Sequence, residues 1–212
     1  MTTKSPTKPI RLHGFPISGH SHRVELMLSL LKLPYEVVKV DLPNNAHKQP
    51  AFLAMNPFGQ VPVIQDGDIT LADSNAILVY LASKYADGKW LPGEPVAAAN
   101  VQRWLSIAAG EVAYGPAKAR VVVLFKLQVK TDDEITRAHD LFKVMDSELK
   151  KKRFLVGDKP TIADIANYTY IAHAPEGNIS LAAYANLSAW LKRIEALPGF
   201  VPMVKSPIGL NA

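Results

Sequence analysis

The chain of 212 residues contains no cysteine, which excludes disulfides, thiolate metal sites and any protein-borne thiol nucleophile. Any sulfur chemistry must therefore use a thiol that a ligand brings. No stretch reaches the apolar length that a membrane-spanning helix requires. Residues 1–9 are polar and contain prolines, without the apolar centre of a secretory signal, so they are expected to form a flexible tail on a cytoplasmic protein. A basic stripe of the kind that binds nucleic acid is also missing. The net charge is +5, but Lys150-Lys151-Lys152-Arg153 is the one basic run, and it reads as a solvated helix end. A modest positive balance favours a small anionic ligand by steering. Apolar residues at 48% and charged residues at 20% exclude a largely disordered or collagen-like chain.

What is present falls into two patterns. Residues 10–15 alternate apolar side chains and run into Pro16, Ser18 and Gly19, which reads as a strand entering a loop. Val24, Met27, Leu28 and Leu31 then recur at helical spacing over residues 21–32, and residues 36–40 read as a second strand. A strand–helix–strand order requires a right-handed crossover with the two strands parallel. Residues 61–65 and 69–71 predict two further strands joined by the hairpin signal Asp66-Gly67, making the sheet mixed. Residues 72–85 carry Ile77, Leu78, Leu81 and Tyr85 on one helical face and close an α/β unit over residues 10–86. Residues 87–96, with two glycines and two prolines, are the expected linker. From 97 to 212 the pattern is helical, with long periodic segments at 97–110, 134–152 and 187–197, while residues 121–125 are β-branched enough to read either way. Thr161-Ile162-Ala163-Asp164 is a capping-box pattern. The expected fold class is α/β plus all-α: a thioredoxin-like mixed-sheet domain followed by a helical bundle domain.

The most specific stretch is Asn56-Pro57-Phe58-Gly59-Gln60-Val61-Pro62, followed by Asp73-Ser74 at a helix start. Together with Ser18, the pair His47-Lys48, the box at Thr161 and the closing Leu197-Pro198-Gly199-Phe200, it resembles the cytosolic glutathione S-transferases, nearest to bacterial theta-like and phi-like serine types. The resemblance covers residues 10–203 and implies glutathione as co-substrate, with no metal. His20, His22 and His173 show no ligand spacing that would suggest one. It further implies a cis Val61–Pro62 bond, with Val61 pairing its backbone to the cysteinyl part of glutathione as an added strand does. A trans proline opening a strand is the alternative.

The same resemblance gives Ser74 the γ-glutamyl carboxylate at a helix N-terminus and gives Asp73 the ammonium, at a position where most relatives carry glutamate. An aspartate N-cap beside an exposed serine is the plainer reading. His47 and Lys48 are expected near the glycine carboxylate, or else in a solvated loop, and Gln60 adds a hydrogen bond. Ser18, five positions before Arg23, is expected to activate the thiol, with Ser21 as the competing hydroxyl or as a helix N-cap. A thiol of pKa about 8.5 is mostly protonated at neutral pH, so one donor to the sulfur changes the balance. The electrophile is expected against the helical domain, near Ile17 and Tyr114 at the Gly115-Pro116 break, although Tyr114 also suits a core position. Relatives imply a homodimer, and peroxidase activity is a further expectation. A scaffold retained for binding or regulation without turnover is the competing function.

Overall fold

In the computed structural model, residues 5–212 are described, so only the last five residues of the expected tail fall within the description and residues 1–4 lie outside it. The chain divides into two units, Met1–Pro92 with Leu197–Val204, and Gly93–Ala196 with Lys205–Ala212.

In the first unit, β1 (Ile10–Gly14) places Ile10 and Leu12 fully inside and turns Arg11 outward, the period-two alternation of a pleated strand. The helix α1 (Gly19–Leu30) follows, and its chain reversal at Lys32, in the left-handed region, lets Leu33 N–H donate back to Leu28 C=O. The crossover then delivers β2 (Tyr35–Lys39) parallel to β1. Beyond a 3₁₀ turn (Ala46–Lys48) and the short α2 (Pro50–Leu53), β3 (Val63–Asp66) runs antiparallel to β1 and forms a hairpin with β4 (Ile69–Ala72). The four strands lie in the order β2-β1-β3-β4, the mixed sheet expected from the hairpin and crossover signals. The helix α3 (Ser74–Tyr85) buries Ile77, Leu78, Leu81 and Tyr85, the four residues of the anticipated face. Asp66, at the hairpin, accepts hydrogen bonds from the Tyr80 and Tyr85 hydroxyls at 2.6 Å and from Lys84 Nζ at 2.8 Å, tying β3 to α3.

The segment Leu197–Val204 belongs with this first unit, not with the helical domain expected to fill residues 97–212. The reason is a set of contacts to α1. Ser29 Oγ donates to Gly199 C=O at 2.7 Å, and His22 Nε2 donates to Val201 C=O at 2.8 Å. Gly199 has φ of +93°, and a Cβ there would lie 2.9 Å from Ser29 O, so a side chain would push this strap off the helix.

The second unit is helical: α4 (Pro95–Ala109), α5 (Lys118–Leu124), α6 (Asp132–Leu149), α7 (Ile162–Ala172) and α8 (Ala185–Glu195). The expected linker ends early, because Glu94 caps α4 by accepting from Val96 and Ala97 N–H at 2.9 and 2.8 Å. Pro116 lies in a π turn (Ala113–Ala117) leading into α5, and the β-branched residues 121–123 are helical. Asp164, fully buried at the start of α7, accepts from Thr161 N–H, Leu155 N–H and the Trp190 indole at 2.8 to 2.9 Å. Arg120, His173 and Glu176 form a second buried polar cluster, with Arg120 Nε and His173 Nδ1 each 2.7 Å from a Glu176 oxygen. No helix among the described residues is long and apolar enough to cross a membrane.

Candidate active site

The first unit contains a cavity of about 840 Å³. Its wall is assembled from three places in the chain. One is the 3₁₀ turn with His47 and Lys48, one is the turn at 56–62, and one is the junction where β4 passes through Asp73 into α3. His20, in the first turn of α1, completes it.

The turn at 56–62 is held by Asn56, a role that the motif alone does not disclose. Asn56 is 4% exposed; its Nδ2 donates to Gln60 C=O at 2.8 Å and its Oδ1 accepts from Phe58 N–H at 3.1 Å. Gly59 has φ of +57°, and a Cβ built on it would come within 2.8 Å of His47 O and 2.9 Å of Lys48 Nζ. The absence of a side chain there lets Lys48 Nζ reach the carbonyls of Phe58 and Gly59, both at 3.3 Å. The lysine therefore stands fixed at the cavity wall with a third N–H still to place. His47 Nδ1 is buried without a hydrogen-bond partner among the described residues. The Val61–Pro62 bond is cis. No described residue hydrogen-bonds to the Val61 N–H or C=O.

At the third wall, Asp73 is the N-cap of α3, with φ of +69° and Oδ1 accepting from Ala76 N–H at 2.8 Å. The aspartate thus matches the plainer capping reading, but Ser74 does not, since it is 4% exposed instead of lying open beside it. Behind Ser74 stands Arg23, 1% exposed, whose Nη1 donates to Ser74 Oγ at 3.2 Å and to Asn75 Oδ1 at 2.9 Å. His20 Nδ1 lies 3.1 Å from the same Ser74 oxygen. Burial, with the Arg23 charge adding to it, pushes the His20 imidazole down to about 3, so the ring is neutral across the physiological range. A buried guanidinium, a helix N-terminus and a hydroxyl converge here on one point of the wall, an arrangement that suits a carboxylate.

Of the residues singled out in the sequence, His47, Lys48, Gln60, Val61, Pro62, Asp73 and Ser74 line this cavity, whereas Ser18, Ile17 and Tyr114 do not. Ser18 is the N-cap of α1, two positions before the lining His20, and its Oγ accepts from Ser21 N–H at 3.2 Å. That acceptance leaves the Ser18 hydroxyl proton to be donated elsewhere. Ser21, for which the capping role was the competing reading, is instead 5% exposed and accepts from Phe15 N–H at 3.1 Å, bracing the loop after β1. Tyr114 is 65% exposed, which removes the reading of it as a core residue. His20 and Arg23 were missed as partners of Ser74. The available signal was their place three residues apart on the first turns of α1, which puts both on one helix face.

The family model for the N-terminal domain of glutathione S-transferases matches residues 8–83, and that for the C-terminal domain matches residues 107–198. The chain belongs to the glutathione S-transferase family of enzymes. Glutathione S-transferase 3 of Zea mays is 36% identical to this transferase over 208 residues, spanning 91% of both chains. The glutathione S-transferase structure from Pseudomonas fluorescens has a TM-score of 0.87 at 33% identity, covering 93% of this chain and 100% of its own. A glutathione transferase homolog from Drosophila mojavensis, solved with bound glutathione, has a TM-score of 0.79 at 31% identity over 90% of the transferase and 89% of that chain.

Proposed function

We propose that this transferase is of the theta-like or phi-like serine type and adds the glutathione thiol to small electrophiles, with Ser18 donating a hydrogen bond to the sulfur. One observation carries the reading. Seven residues assigned from sequence to the tripeptide line a single cavity that presents a lysine, an unpaired strand-like edge at Val61 and a helix start at Ser74. An extended anionic peptide has a use for each of them: charge at Lys48, backbone pairing at Val61, and a carboxylate at Ser74 backed by Arg23. Asp73 Oδ2, which makes no hydrogen bond among the described residues, suits the ammonium of the γ-glutamyl end. Gln60 is exposed at the rim and suits a further hydrogen bond to the peptide. Ser18 follows the loop after β1, and its proton is uncommitted by the bond it accepts.

Chemically, the serine hydrogen bond to a charged sulfur contributes about 1.5 to 3 kcal/mol, which lowers the thiol pKa by roughly one to two units and makes thiolate a major species near neutrality. The thiolate then attacks an electrophilic carbon; the same thiolate would attack the oxygen of a hydroperoxide, with a second glutathione completing the reduction. Ile17 in the loop before α1, and the exposed Tyr114 ring in the helical unit, are each assigned to electrophile contact. A cytoplasmic homodimer completes the proposal.

The test is a pH titration of thiolate absorbance for bound glutathione in the parent and in Ser18→Ala. The variant is expected to titrate one to two units higher and to lose roughly 10- to 100-fold in kcat/KM with a standard aryl halide. Identical titrations would remove Ser18 from the mechanism. A parent that binds glutathione but turns over neither electrophiles nor hydroperoxides would favour a binding or regulatory role.

A further inference from the structure

Ser74 is the one hydroxyl-bearing side chain among the described residues that line the cavity, and its proton can go to only one acceptor at a time. A hydroxyl has one proton and two lone pairs. Arg23 Nη1, 3.2 Å away, has only protons to offer, so it fills one lone pair whatever else happens. The contact to His20 Nδ1 at 3.1 Å can run in either direction. With Nδ1 bare, Ser74 donates to the ring, and the oxygen has only its remaining lone pair to show the cavity, which repels a carboxylate. With Nδ1 protonated, both lone pairs are filled and the Ser74 proton must point outward, where a carboxylate would accept it.

We infer that His20 is a positioning residue acting through Ser74: the ring holds its proton on Nδ1 when a carboxylate is bound, and so makes the serine a donor to it. The inference rests on the reading of this cavity as the glutathione site. Burial keeps the ring neutral with a single proton, so the choice between its two nitrogens is exclusive. Ligand binding selects the tautomer without changing the net charge of the protein. The proton lost from Nε2 and the one gained at Nδ1 balance.

The decisive experiment is nitrogen NMR on the full chain with ¹⁵N-labelled histidine, saturated with S-methylglutathione. The His20 resonances are identified by their loss in His20→Phe. A protonated Nδ1 and a bare Nε2 are expected in the complex, and a bare Nδ1 there overturns the inference. Calorimetry supplies an independent arm that a merely structural role would not satisfy. His20→Phe is expected to weaken S-methylglutathione binding about tenfold when Ser74 is present and less than about threefold in a Ser74→Ala background. Equal losses in the two backgrounds overturn it. His20→Asn, whose amide N–H also leaves Cγ, is expected to recover most of the affinity. Binding by the parent with a bare Nδ1 refutes this inference alone, whereas no binding by the parent refutes the glutathione reading as well.

Discussion

Folding takes part of the water from His20 and sets it beside Arg23, and both effects oppose its protonation. The linkage has a definite sign. An unfolded histidine titrates near 6.5 and the folded one near 3, so between those values the unfolded chain binds the extra proton. The folded state therefore loses stability as the pH falls below about 6.5, by about 2 kcal/mol at pH 5 from this residue alone. Urea denaturation at pH 7.5 and pH 5 should show that loss, and His20→Phe should remove about that much of it. The sequence displayed His20 plainly but offered only a metal-ligand test for it. Its actual partner is Ser74, 54 positions away, and no local pattern reports a contact of that range. Asn56 was hidden for a related reason. Its motif was conspicuous, but the two hydrogen bonds that make it the brace of the turn depend on a backbone path that composition does not encode.

Among the elements, α7 shows how far local signals reach. The threonine and aspartate of its capping box, three apart, were legible because both bonds close within one turn. Leu155 N–H and the Trp190 indole, which converge on the same carboxylate from 9 and 26 positions away, were not. Burial pushes the Asp164 carboxyl up from its usual range, while these donors hold it down. Asp164→Ala strands two buried backbone N–H groups and an indole, and should cost about 3 to 5 kcal/mol, measured as a lowered urea midpoint at unchanged slope. The strands and helices of the first unit were readable for the same reason that the box was: α3 and β1 declare their buried faces by period. Residues 121–123 were not, because β-branched side chains favour a strand in isolation and only packing of α5 within its unit decides for a helix.

For the whole molecule, the order of the two units along the chain was visible from the change of pattern near residue 90, and the observed division falls at Pro92. The return of Leu197–Val204 to the first unit was not visible. It rests on carbonyls meeting Ser29 and His22 about 170 positions earlier, and carbonyls carry no sequence signature. Ending the chain after Ala196 removes this strap, uncovers the α1 side chains it occupies and deletes the buried Met203. Such a truncation is expected to lower the melting temperature by several degrees and to weaken glutathione binding, although none of the deleted residues lines the cavity. Differential scanning calorimetry with and without glutathione measures both effects.

The strap also constrains how this scaffold can be recombined. A single crossover in the connecting stretch would graft a foreign strap onto a native α1; any residues would offer Ser29 and His22 their carbonyls, but a strap without the glycine at 199 or an apolar side chain at 203 would not seat. Hybrids between relatives need two further junctions, one between Ala196 and Leu197 and one after Val204, in addition to the one near Pro92. Inheritance by simple exchange of gene halves would therefore favour pairs of parents whose straps already agree.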